Sequence, residues 1–177
     1  MKTKILVGAF FLVTLIIVST ANAGTSGAYV GFTLGNSTPE DTHFDSAMGW
    51  KVLAGYALNA NWAVEGGYTS FGEMDGPLIM GYSTSVESAG VELAAVGSYS
   101  INDKYSLLGK LGVLNWNFDI NIDGIGTTST SGMDIFFGLG GKYNINDKLS
   151  VCAIGERYTD EDDGIYLLSV SLIYSFK

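Results

Sequence analysis

The pattern Tyr99-Ser100-Ile101-Asn102-Asp103-Lys104 returns as Tyr143-Asn144-Ile145-Asn146-Asp147-Lys148, and a weaker copy, Tyr56-Ala57-Leu58-Asn59-Ala60-Asn61, stands upstream. Leu58, Ile101 and Ile145 are 43 and 44 residues apart. Each copy ends one glycine-rich stretch of alternating residues and begins another. Asn and Asp tolerate the left-handed backbone of tight turns, so each copy reads as a short reverse turn between antiparallel strands. The spacing fits one repeating hairpin unit, two strands and a long connection, which confines the chain to an up-and-down antiparallel topology.

Read at period two, the sequence yields eight strands over residues 27–35, 49–58, 61–71, 87–101, 105–118, 134–145, 149–159 and 165–176. The last is the clearest: Tyr166, Leu168, Val170, Leu172, Tyr174 and Phe176 share one face, and Leu167, Ser169, Ser171, Ile173 and Ser175 the other. Strands of soluble sandwiches average about 5–6 residues. Most of these are longer and match the roughly 9–11 residues that a tilted strand needs to cross a bilayer. Aromatic residues gather near the strand ends, at Trp50, Tyr56, Trp62, Tyr68, Tyr99, Tyr105, Tyr143, Tyr158, Tyr166 and Tyr174, as the two interfacial girdles of a membrane barrel require. The three turns are short, whereas the links 36–48, 72–86, 119–133 and 160–164 are long or acidic. Short periplasmic turns opposite longer external loops are the asymmetry of an outer-membrane barrel. A closed barrel also pairs every backbone group, which hydrocarbon demands. The expected fold is all-β, an eight-stranded antiparallel up-and-down transmembrane β-barrel.

The first 23 residues stand apart. Lys2 and Lys4 precede the apolar run 5–18, and Ala21-Asn22-Ala23 is a small-x-small cleavage site. This reads as a Sec signal peptide over 1–23, with the barrel domain at 24–177. The run is shorter than the roughly 20 residues of a spanning helix. Beyond the leader, 18 acidic residues face seven basic ones, because two of the nine Lys and Arg fall within it. Such a balance excludes nucleic acid as a partner, since phosphates need a basic surface. The one cysteine, Cys152, has no partner for an internal disulfide despite export to an oxidising compartment, and reads as a small apolar strand residue.

Several segments carry a family resemblance: Ala28-Tyr29-Val30-Gly31-Phe32-Thr33-Leu34-Gly35, Val64-Glu65-Gly66-Gly67-Tyr68, Gly90-Val91-Glu92-Leu93-Ala94-Ala95-Val96-Gly97, Gly109-Lys110-Leu111-Gly112-Val113, Arg157-Tyr158-Thr159-Asp160 and Tyr174-Ser175-Phe176. In order and spacing they resemble the OmpA-like family of eight-stranded outer-membrane barrels, and the resemblance runs through the whole chain after the leader. It implies residence in the cell outer membrane, contact with its lipids and lipopolysaccharide, and no cofactor. It also implies delivery by the outer-membrane assembly machinery, which reads a terminal aromatic. Phe176 fits that role, although Lys177 follows it.

Alternation turns Lys51, Glu65, Glu92, Lys110 and Lys142 inward, and Arg157 with them if Tyr158 faces lipid. That register leaves Glu156 outward near the rim. An eight-stranded barrel is only wide enough for its own side chains, and buried charges must pair. The expected network has Glu65 and Glu92 as acceptors and Lys110 and Arg157 as main donors. It serves as polar core filling, or, as the resemblance allows, as a narrow ion path. His43, with Asp41, Asp45 and Ser46 nearby, offers the residue types of a lipid A-modifying enzyme, but all within one loop. The acidic run 160–163 ahead of Gly164 lacks the alternate spacing of an EF-hand and reads as solvated, or as sharing divalent ions with lipopolysaccharide phosphates. Residues 121–131, rich in Gly, Thr and Ser, read as a flexible third loop. None of the loops has a basic cluster, so a heparin-type patch is unsupported. The expected function is a non-enzymatic structural or surface-interaction role, with external loops meeting any host or surface ligand. The alternatives are a lipid A-modifying enzyme using His43 and a narrow, porin-like ion channel.

Overall fold

In the computed structural model, strand alternation and strand length combine into a cylinder. The structure describes residues 26–40, 45–79, 82–122, 126–159 and 164–176. The leader, His43 with Asp41, and the acidic run 160–163 lie outside them. The strands are β1 (Gly27–Pro39), β2 (Ala47–Ala57), β3 (Trp62–Ile79), β4 (Tyr82–Ser100), β5 (Tyr105–Ile122), β6 (Gly126–Asn144), β7 (Leu149–Thr159) and β8 (Gly164–Ser175). Each pairs antiparallel with the next, and β8 pairs with β1, which closes the barrel. Among the described residues no helix is long and apolar enough to cross a membrane; the chain crosses with strands.

The outward face is the apolar one. Phe32, Leu34, Val52, Leu93, Leu111, Leu139, Val170 and Leu172 are all exposed. Large apolar side chains standing in a continuous outer band mean that lipid is the solvent. Aromatic residues edge the band: Tyr105 and Tyr143 lie 5.1 Å apart at one end, and Trp50 and Tyr68 5.6 Å apart at the other.

The three repeated turns share one construction. The Asn59 side-chain oxygen accepts from the N–H groups of Asn61 (2.9 Å) and Trp62 (3.0 Å). Asn102 does the same for Lys104 and Tyr105, and Asn146 for Lys148 and Leu149, all at 2.9 Å. The side chain thereby stands in for a missing strand partner. Each turn also holds its neighbour, through Ser98 N–H to Asn61 C=O, Asn144 N–H to Lys104 C=O and Ser175 N–H to Lys148 C=O.

The opposite, loop end departs from the expected pattern. β3 to β6 are 18 or 19 residues long, against 11 to 13 for the other four strands. Most of 72–86 and 119–133 is therefore strand, and 126–131 belongs to β6 and not to a flexible loop. These strand ends rise beyond the apolar band, where neither face needs to be apolar, so alternation gave no signal. β3 makes this extension through a register shift between Ser70 and Glu73. Gly72 sits there at a φ of 84°, and a Cβ on it would meet the Met48 carbonyl oxygen at 2.5 Å. Both facts select glycine.

Candidate functional site in the barrel lumen

Inward side chains form three layers. Nearest the loop end, Ala47, Phe71, Met74, Ala94, Leu114, Phe136, Tyr158 and Leu167 make an apolar plug. Tyr158 stacks on Phe136 and takes Phe71 edge-on, both at 4.8 Å between centroids. Nearest the turn end, Leu53, Val96, Leu108, Cys152 and Ile173 make a second apolar layer. A cavity of about 290 Å³ runs from the turn end through this layer to the ionic one, lined by Ser106, Lys142, Cys152, Glu65 and Lys110 among others.

The middle layer is ionic. Lys51, 1% exposed, places Nζ 2.8 Å from Glu156 Oε2, 3.0 Å from Glu92 Oε2 and 3.0 Å from the Tyr158 hydroxyl oxygen. Lys110 Nζ lies 2.8 Å from Glu65 Oε2, 3.3 Å from Glu156 Oε1 and 3.4 Å from Glu92 Oε1. Hydroxyls add further hydrogen bonds to the carboxylates. Tyr29 donates to Glu65 at 2.9 Å, Thr69 to Glu92 at 2.9 Å and Tyr158 to Glu92 at 3.1 Å. Both ammonium groups also stand 5.8 Å from the Phe136 ring centroid. Buried charge is tolerated when it is paired and hydrogen-bonded in this way.

The sequence-derived residues divide accordingly. The structure gathers Lys51, Glu65, Glu92 and Lys110 into the layer. It places Lys142 half-buried on the cavity wall, with no ion pair among the described residues. Arg157 is a correction. It points out of the barrel, and Glu156, 3% exposed, takes the inward place with Tyr158. Register imposes this. Arg157 pairs with Phe137 and Tyr166, both outward, whereas Glu156 pairs with Leu167, which is buried. The signal was present in Leu149, Val151 and Ala153, whose odd-numbered apolar run already assigns Arg157 to the lipid side. Lys51, expected as a minor member, holds two of the three carboxylates.

Arg157 instead clasps the rim. Its Nε and Nη2 donate to Glu40 Oε1 at 2.8 and 2.7 Å, and its guanidinium lies 5.6 Å from the Tyr166 ring centroid. Glu40 also donates its N–H to the Gly164 carbonyl at 2.8 Å. The Arg157 hydrogen bond holds the Glu40 carboxyl below the usual carboxylate range. A carboxylate with a lowered folded pKa stabilises above its unfolded pKa, and that contribution is lost as pH falls through the lowered value. The clasp is therefore expected to hold at neutral pH and to open only in acid below the ordinary Glu range. Proton-detected NMR of the Arg157 Nε–H across an acid titration checks this; loss of the clasp at or above the ordinary Glu pKa would contradict it.

Around the sequence candidate His43, Ser46 is described and accepts a hydrogen bond from Thr38 at 3.4 Å. Among the described residues no group of His, Cys, Asp and Glu is arranged to hold a metal ion.

The sequence matches the family model described as an outer membrane protein beta-barrel domain over residues 8–176. Among solved structures it is similar to Ail of Yersinia pestis in complex with the heparin analogue sucrose octasulfate, with 19% identity, a TM-score of 0.60, and coverage of 88% of this chain and 100% of that one. It is also similar to neisserial surface protein A, with 15% identity, a TM-score of 0.65, and coverage of 87% and 100%. OprG of Pseudomonas aeruginosa aligns with 11% identity, a TM-score of 0.63, and coverage of 86% and 98%. A comparison with curated proteins finds no match. At these identities the solved structures speak for the fold, an eight-stranded outer-membrane barrel.

Proposed function

Because the chain belongs to the outer membrane protein beta-barrel domain family and resides in the outer membrane, we propose that it is a closed, non-enzymatic barrel whose loop end meets cationic partners outside the cell. In this reading the turn end faces the periplasm. The observation that carries it is the plug: the apolar cluster at the loop end lies over a hydrogen-bonded ionic layer, so the interior charges act as core and not as a path. Specific function then falls to the loop end, where a rigid scaffold presents its variable segments.

Charge defines what that end can attract. Of the 18 acidic residues, Glu65, Glu92 and Glu156 belong to the ionic layer, and Asp103 and Asp147 to the turns. Among the described residues Glu40, Asp45, Glu73, Asp75, Glu87, Asp119 and Asp134 stand on the loop side of the layer, where Arg157 is the single described Lys or Arg. That arginine is already held by Glu40. Ail was solved with a polyanionic heparin analogue; the charge at this chain's loop end repels such a ligand and favours cations. The barrel reconstituted in nanodiscs is expected to pass through a heparin column at low salt and to be retained by immobilised polylysine. In planar bilayers it should be silent. Retention on heparin would overturn the cationic reading, and stepwise conductance would overturn the closed lumen.

Residues 1–23 are inferred to be the export signal. N-terminal sequencing of the protein from outer membranes should begin at Gly24, and a start within the apolar run would remove that inference.

A further inference from the structure

At the loop end the plug of Phe71, Phe136 and Tyr158 closes the lumen, whereas the cavity of about 290 Å³ opens at the turn end beside Asn59 and Ala60. That volume stands at the lower end of the range for small-molecule pockets. The cavity is a blind well, and the ionic layer is its floor.

Floor and wall carry opposite charge. The layer sets three carboxylates, Glu65, Glu92 and Glu156, against two ammonium groups, Lys51 and Lys110, and so has one formal negative charge in excess. Glu65 is the carboxylate most open to the well, with its side chain 11% exposed against 1% and 2% for the other two. Its Oε1 accepts from Tyr29 and its Oε2 from Lys110. A carboxylate oxygen has two lone pairs, so each can accept once more.

The wall is positive. Lys142 lines the well with no ion pair among the described residues, and it is the third cation that brings the described lumen to formal neutrality. Its cross-strand partners are Ser106 of β5 and Cys152 of β7. Ser150 pairs with Asn144 and so stands diagonal to Lys142, at about 7–8 Å, a separation that a long side chain bridges. Ser150 is 7% exposed and lines the well, and its hydroxyl has no hydrogen-bond partner among the described residues. A buried hydroxyl without a partner is costly, and an acceptor seated at Lys142 supplies one. Between floor and wall, Leu53, Val96, Leu108 and Ile173 form an apolar girdle. Lys110, beside Glu65, is four residues from Ser106 along β5, about 13 Å of strand. An occupant that touches both charged ends must cross this girdle.

We infer that the well binds a small zwitterion. Lys142 and Ser150 hold its carboxylate, Glu65 holds its amine, and several carbons between them lie against the girdle. A plain carboxylate faces a floor with excess negative charge, and a plain amine leaves Lys142 unpaired, so each forfeits one end of the site. The well lies opposite the loops and is independent of what they bind.

The test uses the full barrel in nanodiscs and three probes with the same six-carbon chain: ε-aminocaproate, caproate and hexylamine. Backbone and lysine side-chain NMR shifts are followed through each titration. ε-Aminocaproate should move Ser106, Lys142 and Ser150 at the wall and Glu65 at the floor. Caproate and hexylamine should bind about tenfold or more weakly, since each loses a charge-assisted hydrogen bond. Lys142→Met should weaken ε-aminocaproate by a similar factor, and it strands no partner charge. Glu65→Gln should do the same. Because Glu65 also holds Lys110, the probe comparison on the wild-type chain decides the role of the floor even if that variant folds poorly. No saturable shift at the wall residues would overturn the zwitterion site. Caproate binding as tightly as ε-aminocaproate would remove the floor from it, hexylamine binding as tightly would remove Lys142, and either overturns it. Binding untouched by Lys142→Met would put the probe elsewhere and overturn it too.

Discussion

Lys51→Met is expected to destabilise the barrel by about 3–5 kcal/mol, the cost of stripping a buried charge network of one partner. Methionine fills similar volume, so packing changes little, while Glu92 and Glu156 both lose their nearest cation. Three carboxylates are then left to Lys110 alone. Urea unfolding from lipid vesicles, followed by tryptophan emission, measures the loss. Adding Glu156→Gln to Lys51→Met should recover part of it, because one of the two uncompensated charges is removed. An unchanged urea midpoint for Lys51→Met would mean that the layer contributes nothing to stability.

Phe136→Ala should cost about 3–5 kcal/mol as well, the range for truncating a fully buried phenylalanine. Phe136 is 0% exposed, stacks on Tyr158 and faces both ammonium groups. Its cross-strand partner is Gly112, where a Cβ would lie 2.6 Å from the ring. The ring therefore occupies space that glycine leaves, and neighbours have little freedom to close the gap. The same substitution should open the plug above the ionic layer. Small-cation leak through vesicles containing the variant, beside tight vesicles containing the parent, would be the signature. A variant as stable and as tight as the parent would remove Phe136 from the plug.

The transmembrane part of the fold was legible because lipid outside and a narrow lumen inside impose opposite demands on alternate residues. β8, with Tyr166 to Phe176 on one face and serines on the other, states this directly. The turns were legible through their repeated Asn, although the side-chain hydrogen bonds that close them appear only in three dimensions. Legibility ended where the physics changed. Above the apolar band the extensions of β3 to β6 no longer divide lipid from lumen, so Thr127 to Ser131 carry no period. In β7 the charge of one residue and the apolar run around it point to opposite faces. Arg157 looked like a buried donor, whereas Leu149, Val151 and Ala153 fixed the face it shares. The lumen partners could not be read, because Lys51 meets Glu156 across 105 positions of sequence.

The ionic layer also constrains how the barrel comes into being. Lys51 is on β2, Glu65 on β3, Glu92 on β4, Lys110 on β5 and Glu156 on β7. No hairpin owns the set, and a half-built sheet exposes some of these charges without their counterions. Such a sheet is costly to leave in hydrocarbon, and contacts this distant in sequence are slow to form. Membrane entry strand by strand is thus penalised, and entry of a nearly closed cylinder is favoured. The lumen charges thus reward closure, because Glu156 of β7 reaches Lys51 of β2 only across the finished lumen.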